Sequence, residues 1–128
     1  MDLLMSLQPV IARRIISGKK KYEYRRTIFK REINHIYIYS SSPVRKIVCR
    51  FKYSGYFSGS VDEIWDRTGK LSAASEAEYR DYFRGTKIAY AIRIEDLVVF
   101  GEPLDPYKID PAFRPPQSFG YVRDRSFG

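Results

Sequence analysis

The chain is 128 residues long, 44% apolar and 30% charged, with 8 Gly and 7 Pro; this fits one folded domain around one core and excludes wholesale disorder. Cys49 is the one cysteine and His35 the one histidine, which excludes an internal disulfide and a cysteine-built zinc site and argues against Ser-His-Asp chemistry. The charge is +8 overall but uneven: residues 1–54 hold 13 Lys and Arg against three acids, whereas residues 55–128 hold 10 against 12.

A basic face of that kind suits a polyanionic partner, with a merely solubilising surface as the bland alternative. Carboxylates would have to hold any metal, and no Asp/Glu cluster offers itself, so neither a metal nor a cofactor is expected. Met1–Leu7 is too short for a signal peptide, and no apolar run nears the roughly 18 residues of a membrane span. The expectation is a soluble, cytoplasmic protein with no membrane partner.

Leu3 to Leu7 reads as a short apolar strand. Pro9 sits where a helix begins, Val10, Ile11, Ala12, Ile15 and Ile16 recur at helical spacing, and Gly18 closes the helix. Tyr22 to Arg26 alternates with a period of two, setting Tyr22, Tyr24 and Arg26 on one face and Glu23 and Arg25 on the other. His35 to Tyr39 alternates again, with Ile36 and Ile38 toward the core and His35, Tyr37 and Tyr39 facing away or into a cleft. Ser40-Ser41-Ser42-Pro43 marks a strand end.

A long strand from Val44 to about Phe57 puts Ile47, Cys49, Phe51 and Tyr53 on one face and Lys46, Arg50 and Lys52 on the other. Two helices follow, each with a capping-box signature: Ser60 with Glu63, and Ser75 with Glu78. The first carries Ile64 and Trp65 and ends near Gly69. The second sets Tyr79, Tyr82 and Phe83 on one face and ends at Gly85. Thr86 to Ile94 is predicted as a strand with Ile88, Tyr90, Ile92 and Ile94 inward, and Leu97 to Phe100 as a further one. Beyond Pro103 the chain reads as an irregular tail with one strand at Phe119 to Val122. These elements predict an α+β fold, a small mixed β-barrel with helices covering its ends. An open α+β sheet is the alternative.

The segment Gly18-Lys19-Lys20-Lys21-Tyr22-Glu23-Tyr24-Arg25-Arg26 gathers cations and a carboxylate where a helix ends and a strand leaves. Such groups can grip a phosphate, or let Glu23 accept from a base amine; a solvated strand edge with a surface ion pair is the alternative. Two-residue parity puts Lys21, not Lys20, on the face of Glu23, so both lysines stay candidates. Trp65 is expected in the core and His35 at a strand edge.

The spacing Gly18-x-Lys20-x-x-Glu23-x-Arg25 resembles the motif of ASCH (activating-signal-cointegrator homology) domains, small barrels of the PUA-like superfamily. Ser6-Leu7-Gln8-Pro9, Tyr39-Ser40-Ser41-Ser42-Pro43 and Pro115-Pro116-Gln117-Ser118-Phe119 look like the landmarks of short stand-alone members. The resemblance implies one domain over 1–128, with its core at about 3–122 and an irregular C-terminal tail. It also implies a cleft between the sheet and the first helix that binds RNA or a nucleotide, with a protein partner as a further option. Lys20 (or Lys21), Glu23 and Arg25 line it, joined by Tyr39, Ser41, Gln117 and Ser118. Some related members are amidohydrolases that deacetylate a modified cytidine with a lysine, a threonine and a glutamate. Lys20 matches that lysine, Glu23 stands at the threonine position, and Leu71-Ser72-Ala73-Ala74 brings no acid before the second capped helix. If this chain is such an enzyme, Lys20 and Glu23 are its acid/base pair.

Overall fold

The structure, a computed structural model, describes residues 1–124 and 126–127. Its elements run β1 (Asp2–Leu7), α1 (Pro9–Ile16), β2 (Tyr22–Arg25), β3 (His35–Ser40), β4 (Lys46–Gly59), α2 (Val61–Thr68), α3 (Glu76–Tyr82), β5 (Ala89–Leu104), α4 (Pro106–Ile109) and β6 (Phe119–Val122). The strands form one mixed sheet in the order β2-β5-β4-β3-β1-β6. Only β1 and β3 run parallel; the other pairs are antiparallel. The sheet curls into a half-barrel, in keeping with the α+β barrel expected from the sequence.

Among the described residues, three apolar clusters pack against the sheet, on both of its faces. The main one joins Leu3 and Met5 of β1, Ala12 and Ile15 of α1, Ile36 and Ile38 of β3, and Cys49 and Phe51 of β4. A second lies under α2 and α3, where Ile64, Tyr79 and Phe83 cover Tyr24, Ala89 and Ala91. The small alanines of β5 leave room for three aromatic rings, and Tyr24 meets Tyr79 edge-on at 4.8 Å. Both helices start as their sequences predict: Ser60 Oγ accepts from the Glu63 amide and Ser75 Oγ from the Glu78 amide. Trp65 is structural. It packs on Tyr79 at 4.9 Å, and a Cβ on Gly69 would meet its ring at 2.7 Å.

The structure corrects several strand assignments. A register shift between Ile47 and Cys49 places Ile47 on the opposite face, in a third cluster with Leu4, Tyr37 and Tyr39. One extra residue in a bulge reverses side-chain parity, which an alternation count does not detect. Tyr37 and Tyr39 are therefore nearly fully buried in a small core of their own. The two strands expected at 86–94 and 97–100 are one ribbon, β5. On the face expected inward, Ile92 is fully buried in the main core and Ile94 packs against it, whereas Ile88 is exposed and Tyr90 half-buried against Tyr56. Ala89 and Ala91 are buried on the opposite face, so both faces of β5 are covered there, which an alternation count does not show. The tail also holds a one-turn helix, α4, capped by Asp105, whose side chain accepts from the Tyr107 amide.

A bidentate pair braces α1 against α3. Arg14 Nη1 and Nη2 donate to the two Glu78 oxygens at 2.7 and 3.2 Å, and this hydrogen bonding holds the Glu78 carboxyl below its ordinary value. A depressed carboxylate contributes stability above its unfolded value and loses it as pH falls through the folded one. Half-exposed, the pair is worth at most about 1 kcal/mol. Glu78→Gln is therefore expected to lower the urea midpoint slightly at about pH 7 and to approach the parent progressively as pH falls through the carboxylate range toward about pH 3. An equal deficit at both pH values would show that the charge contributes nothing.

Cys49 is fully buried, and burial pushes its thiol up to about 12. The folded protein should resist thiol reagents at neutral pH, with labelling no faster than unfolding. Rapid labelling of the native state would show the β4 register to be wrong.

Candidate functional site

The end of α1 sets the geometry. Gly18 takes φ of 79°, and the Lys20 amide then donates back to the Arg14 carbonyl at 3.1 Å. This wrap places Lys20 ahead of the first strand residue, so strand parity does not govern it. Its side chain turns inward and is 4% exposed. Lys21 is exposed and lies outside the cleft; its amide donates to Leu71 and its carbonyl accepts from Ile94.

Glu23 and Arg25 share a face of β2, an edge strand paired only with β5. Lys20 Nζ stands 3.4 Å from Glu23 Oε1, and Arg25 Nη1 stands 3.4 Å from Glu23 Oε2. Lys20 also sits 5.1 Å from the centre of the Tyr24 ring. Arg25 Nη2 donates to Ser118 Oγ. One buried carboxylate thus stands between two cations, and both contacts are longer than the roughly 2.7–2.9 Å of a tight charge-assisted bond. The trio keeps one net positive charge and room on it for an anion.

These groups floor a cleft of about 310 Å³. Ile11 and Arg14 of α1 form one wall, Ala74, Glu78, Tyr79 and Tyr82 another, and Ser6, Leu7 and Gln8 the rim. Those three rim residues also line a second hollow of about 400 Å³ with Tyr39, Ser41, Ser42, Arg45, Tyr107, Pro115, Pro116 and Gln117. The two hollows therefore meet across the junction of β1 and α1. In the second, Tyr39 and Tyr107 hydroxyls lie 3.4 Å apart and Arg45 covers the Tyr107 ring at 4.7 Å. Hydrogen bonding to Arg45 holds the Tyr107 phenol below its ordinary value, while burial pushes Tyr39 up. Two phenols separated in this way can serve as proton acceptor and proton donor. A third hollow, beside His35, Arg50 and Lys52, already has Asp124 paired with the N-terminus at 2.5 Å and Asp2 accepting from the His35 amide at 3.0 Å.

Lys20, Glu23 and Arg25 meet in the first hollow, Tyr39, Ser41 and Gln117 in the second, and Ser118 touches Arg25. The sequence reading missed Arg14, Glu78, Arg45 and Tyr107. Arg14 follows Ile11 by three residues, a spacing that puts both on one helix face, and this signal was available. Glu78 was visible only as a cap partner, yet it brings an acid to the cleft wall. Tyr107 carries no local signal, since its place depends on where α4 docks.

The chain is 34% identical over 129 aligned positions to the ASCH domain-containing ribonuclease of Zymomonas mobilis, which takes in 95% of this chain and 84% of that protein. A shorter match, 27% over 74 residues, takes in 58% of this chain and 24% of the large ribosomal subunit protein uL22 of Ureaplasma parvum. No family model matches the chain. Among solved structures, ASCH from Zymomonas mobilis superposes with a TM-score of 0.88 at 33% identity, covering 98% of this chain and 90% of that one. A variant of the same protein with a tyrosine changed to phenylalanine gives 0.88 at 32% identity, covering 98% and 92%. At this identity and coverage, along the length that the curled sheet and its cleft occupy, the chain belongs to the ASCH domain family.

Proposed function

We propose that the chain binds single-stranded RNA along the joined hollows and cleaves its phosphodiester backbone. The observation that carries the reading is the buried Lys20–Glu23–Arg25 trio, with its one uncompensated positive charge at the floor of a concave cleft. A buried charge in excess is costly, and a phosphate is the anion that two cations at this spacing accept well. The name of the Zymomonas mobilis relative, a ribonuclease, supports the same substrate class.

The nucleophile that the substrate itself supplies is the RNA 2′-hydroxyl. On this route its oxygen attacks phosphorus while Glu23 accepts its proton. The bond from phosphorus to the 5′-oxygen breaks, and the leaving oxygen takes a proton from Lys20. Arg25 offsets the charge that builds on the non-bridging oxygens. The products are a 2′,3′-cyclic phosphate and a 5′-hydroxyl.

End-labelled RNA resolved on a gel tests this. Wild type should shorten the RNA, and Glu23→Gln should slow cleavage by on the order of 100-fold or more while still binding. Arg25→Ala should weaken binding by about 1.5–3 kcal/mol. A fully 2′-deoxy strand should bind and stay uncut, and affinity should fall steeply with salt. Affinity indifferent to both salt and Arg25→Ala would remove the RNA reading. Cleavage of the deoxy strand at the RNA rate would remove the 2′-hydroxyl route.

A second reading is favoured by Glu78, which stands across the cleft from Lys20 and Glu23. A lysine paired with one carboxylate, with a second carboxylate lining the same cleft, suits hydrolysis of an acetylated cytidine amide. Acetate release from N4-acetylcytidine, abolished by Lys20→Ala, with RNA left intact, would establish this activity in place of the first.

A further inference from the structure

β1 alternates faces: Leu3, Met5 and Leu7 enter the main core, while Leu4 joins the Tyr37–Tyr39 cluster on the other side. Ser6 shares the face of Leu4 and pairs with Tyr39, where an apolar side chain would continue that cluster. Instead it presents a hydroxyl. Ser6 Oγ is shielded from solvent and has no hydrogen-bond partner among the described residues. A buried hydroxyl in that state is costly, and its persistence needs a reason.

Its place supplies one. Ser6 lines both hollows, and its amide donates to the Ser118 carbonyl at 3.0 Å. Ser118 Oγ in turn accepts from Arg25. Ser118 thus ties the Ser6 backbone, shared by both hollows, to Arg25 of the first, which places the Ser6 and Ser118 hydroxyls and the guanidinium near the saddle where the hollows meet. On either side lie spaces of about 310 and 400 Å³, each within the lower range of small-ligand pockets, roughly 300–1,000 Å³. Tyr24 and Tyr82 line the first, and Tyr107, Pro115 and Pro116 line the second, so both offer flat apolar surface to a base.

Resting on the RNA reading above, we propose that the Ser6–Ser118–Arg25 saddle seats one internal phosphodiester, with the nucleosides on its two sides lodged in the two hollows. The unit that the site recognises is then a dinucleotide step, and Ser6, whose hydroxyl is covered in the free protein, rotates to donate from Oγ to a non-bridging phosphate oxygen. The specificity is opposite to that of simple electrostatics. A nucleoside 3′-monophosphate carries more negative charge than a dinucleoside monophosphate, so a site reading charge alone prefers the former.

The test is competition of the dinucleoside monophosphate ApU and of 3′-AMP, each with 2′-deoxy sugars so that neither can be cut on the route above, against a fluorescent 2′-O-methyl single-stranded RNA, read by anisotropy. Wild type should bind ApU more tightly than 3′-AMP by roughly tenfold, as an added stacked base provides. Ser6→Ala should lose roughly threefold to tenfold for ApU, the worth of one hydrogen bond, and should keep or raise the Tm because an unpaired buried hydroxyl has gone. If RNA binds but 3′-AMP competes as well as ApU, or Ser6→Ala leaves ApU affinity unchanged, the saddle is wrong and the RNA reading stands. If the fluorescent RNA does not bind at all, both fail. A fall in Tm with Ser6→Ala that matches the lost affinity would make Ser6 a packing residue and overturn its role.

Discussion

The cleft depends on one contact between the two ends of the sheet. β2 and β6 lie at opposite ends of the hydrogen-bonded order, yet Arg25 of β2 reaches Ser118 at the start of β6. The chain between β2 and β3 reinforces the seam. Phe29 packs edge-on to Phe119 with ring centres 5.9 Å apart, and the Lys30 amide donates to the Tyr121 hydroxyl at 3.0 Å. A curled sheet closed by side chains leaves an opening beside the seam, and a guanidinium there serves two ends. One of its nitrogens meets the far edge while another meets Glu23, which holds Lys20. Charge and cavity thus lie together beside the seam that this residue spans.

The basic half of the chain spreads its cations over aromatic rings as well as acids. Arg26 lies over Tyr82 at 4.9 Å, Arg31 over Tyr121 at 4.7 Å, and Arg45 over Tyr107 at 4.7 Å. A ring face attracts a cation without neutralising it, so positive potential survives near the cleft walls where carboxylate partners would have cancelled it. The tyrosines also serve the core. Tyr24 buries its ring under α3 and directs its hydroxyl to Thr68 at 2.7 Å, while Tyr79 donates to the Val61 carbonyl at 2.6 Å. Their abundance in the sequence reflects both uses.

What the sequence made legible follows from the range of the cause. Helix starts at Ser60 and Ser75 are local hydrogen-bond events, and both were readable. The faces of β2 were readable because Tyr22–Arg25 is short and unbulged. Ile47 was not, since a bulge is set by cross-strand pairing; Ile92 and Ile94 of β5 were, whereas the burial of Ala89 and Ala91 on its other face depends on rings from α2 and α3. At the site, Glu23 and Arg25 followed from spacing, whereas Lys20 escaped strand parity because Gly18 wraps the chain about the helix end. The second hollow joins segments from residues 6 to 117. Tyr39, Ser41 and Gln117 entered by family resemblance, while Arg45 and Tyr107 depend on tertiary docking that no local pattern encodes.

The trio at the cleft floor makes poor sense as a stabilising device. Removing two cations and a carboxylate from water costs more than loose contacts at 3.4 Å return, and well-packed apolar residues of similar size commonly do as well or better in such places. Ser6, with a buried hydroxyl left unpaired, is a second local loss in the same place. Ser54 Oγ of β4 is shielded and unpartnered among the described residues as well, so the buried hydroxyl alone does not single out the cleft; its coincidence there with the loosely paired trio is what the proposed function accounts for. On the proposed function, a phosphate oxygen would supply negative charge to Lys20 and Arg25 and an acceptor to Ser6, so that binding would remove costs already present in the free protein.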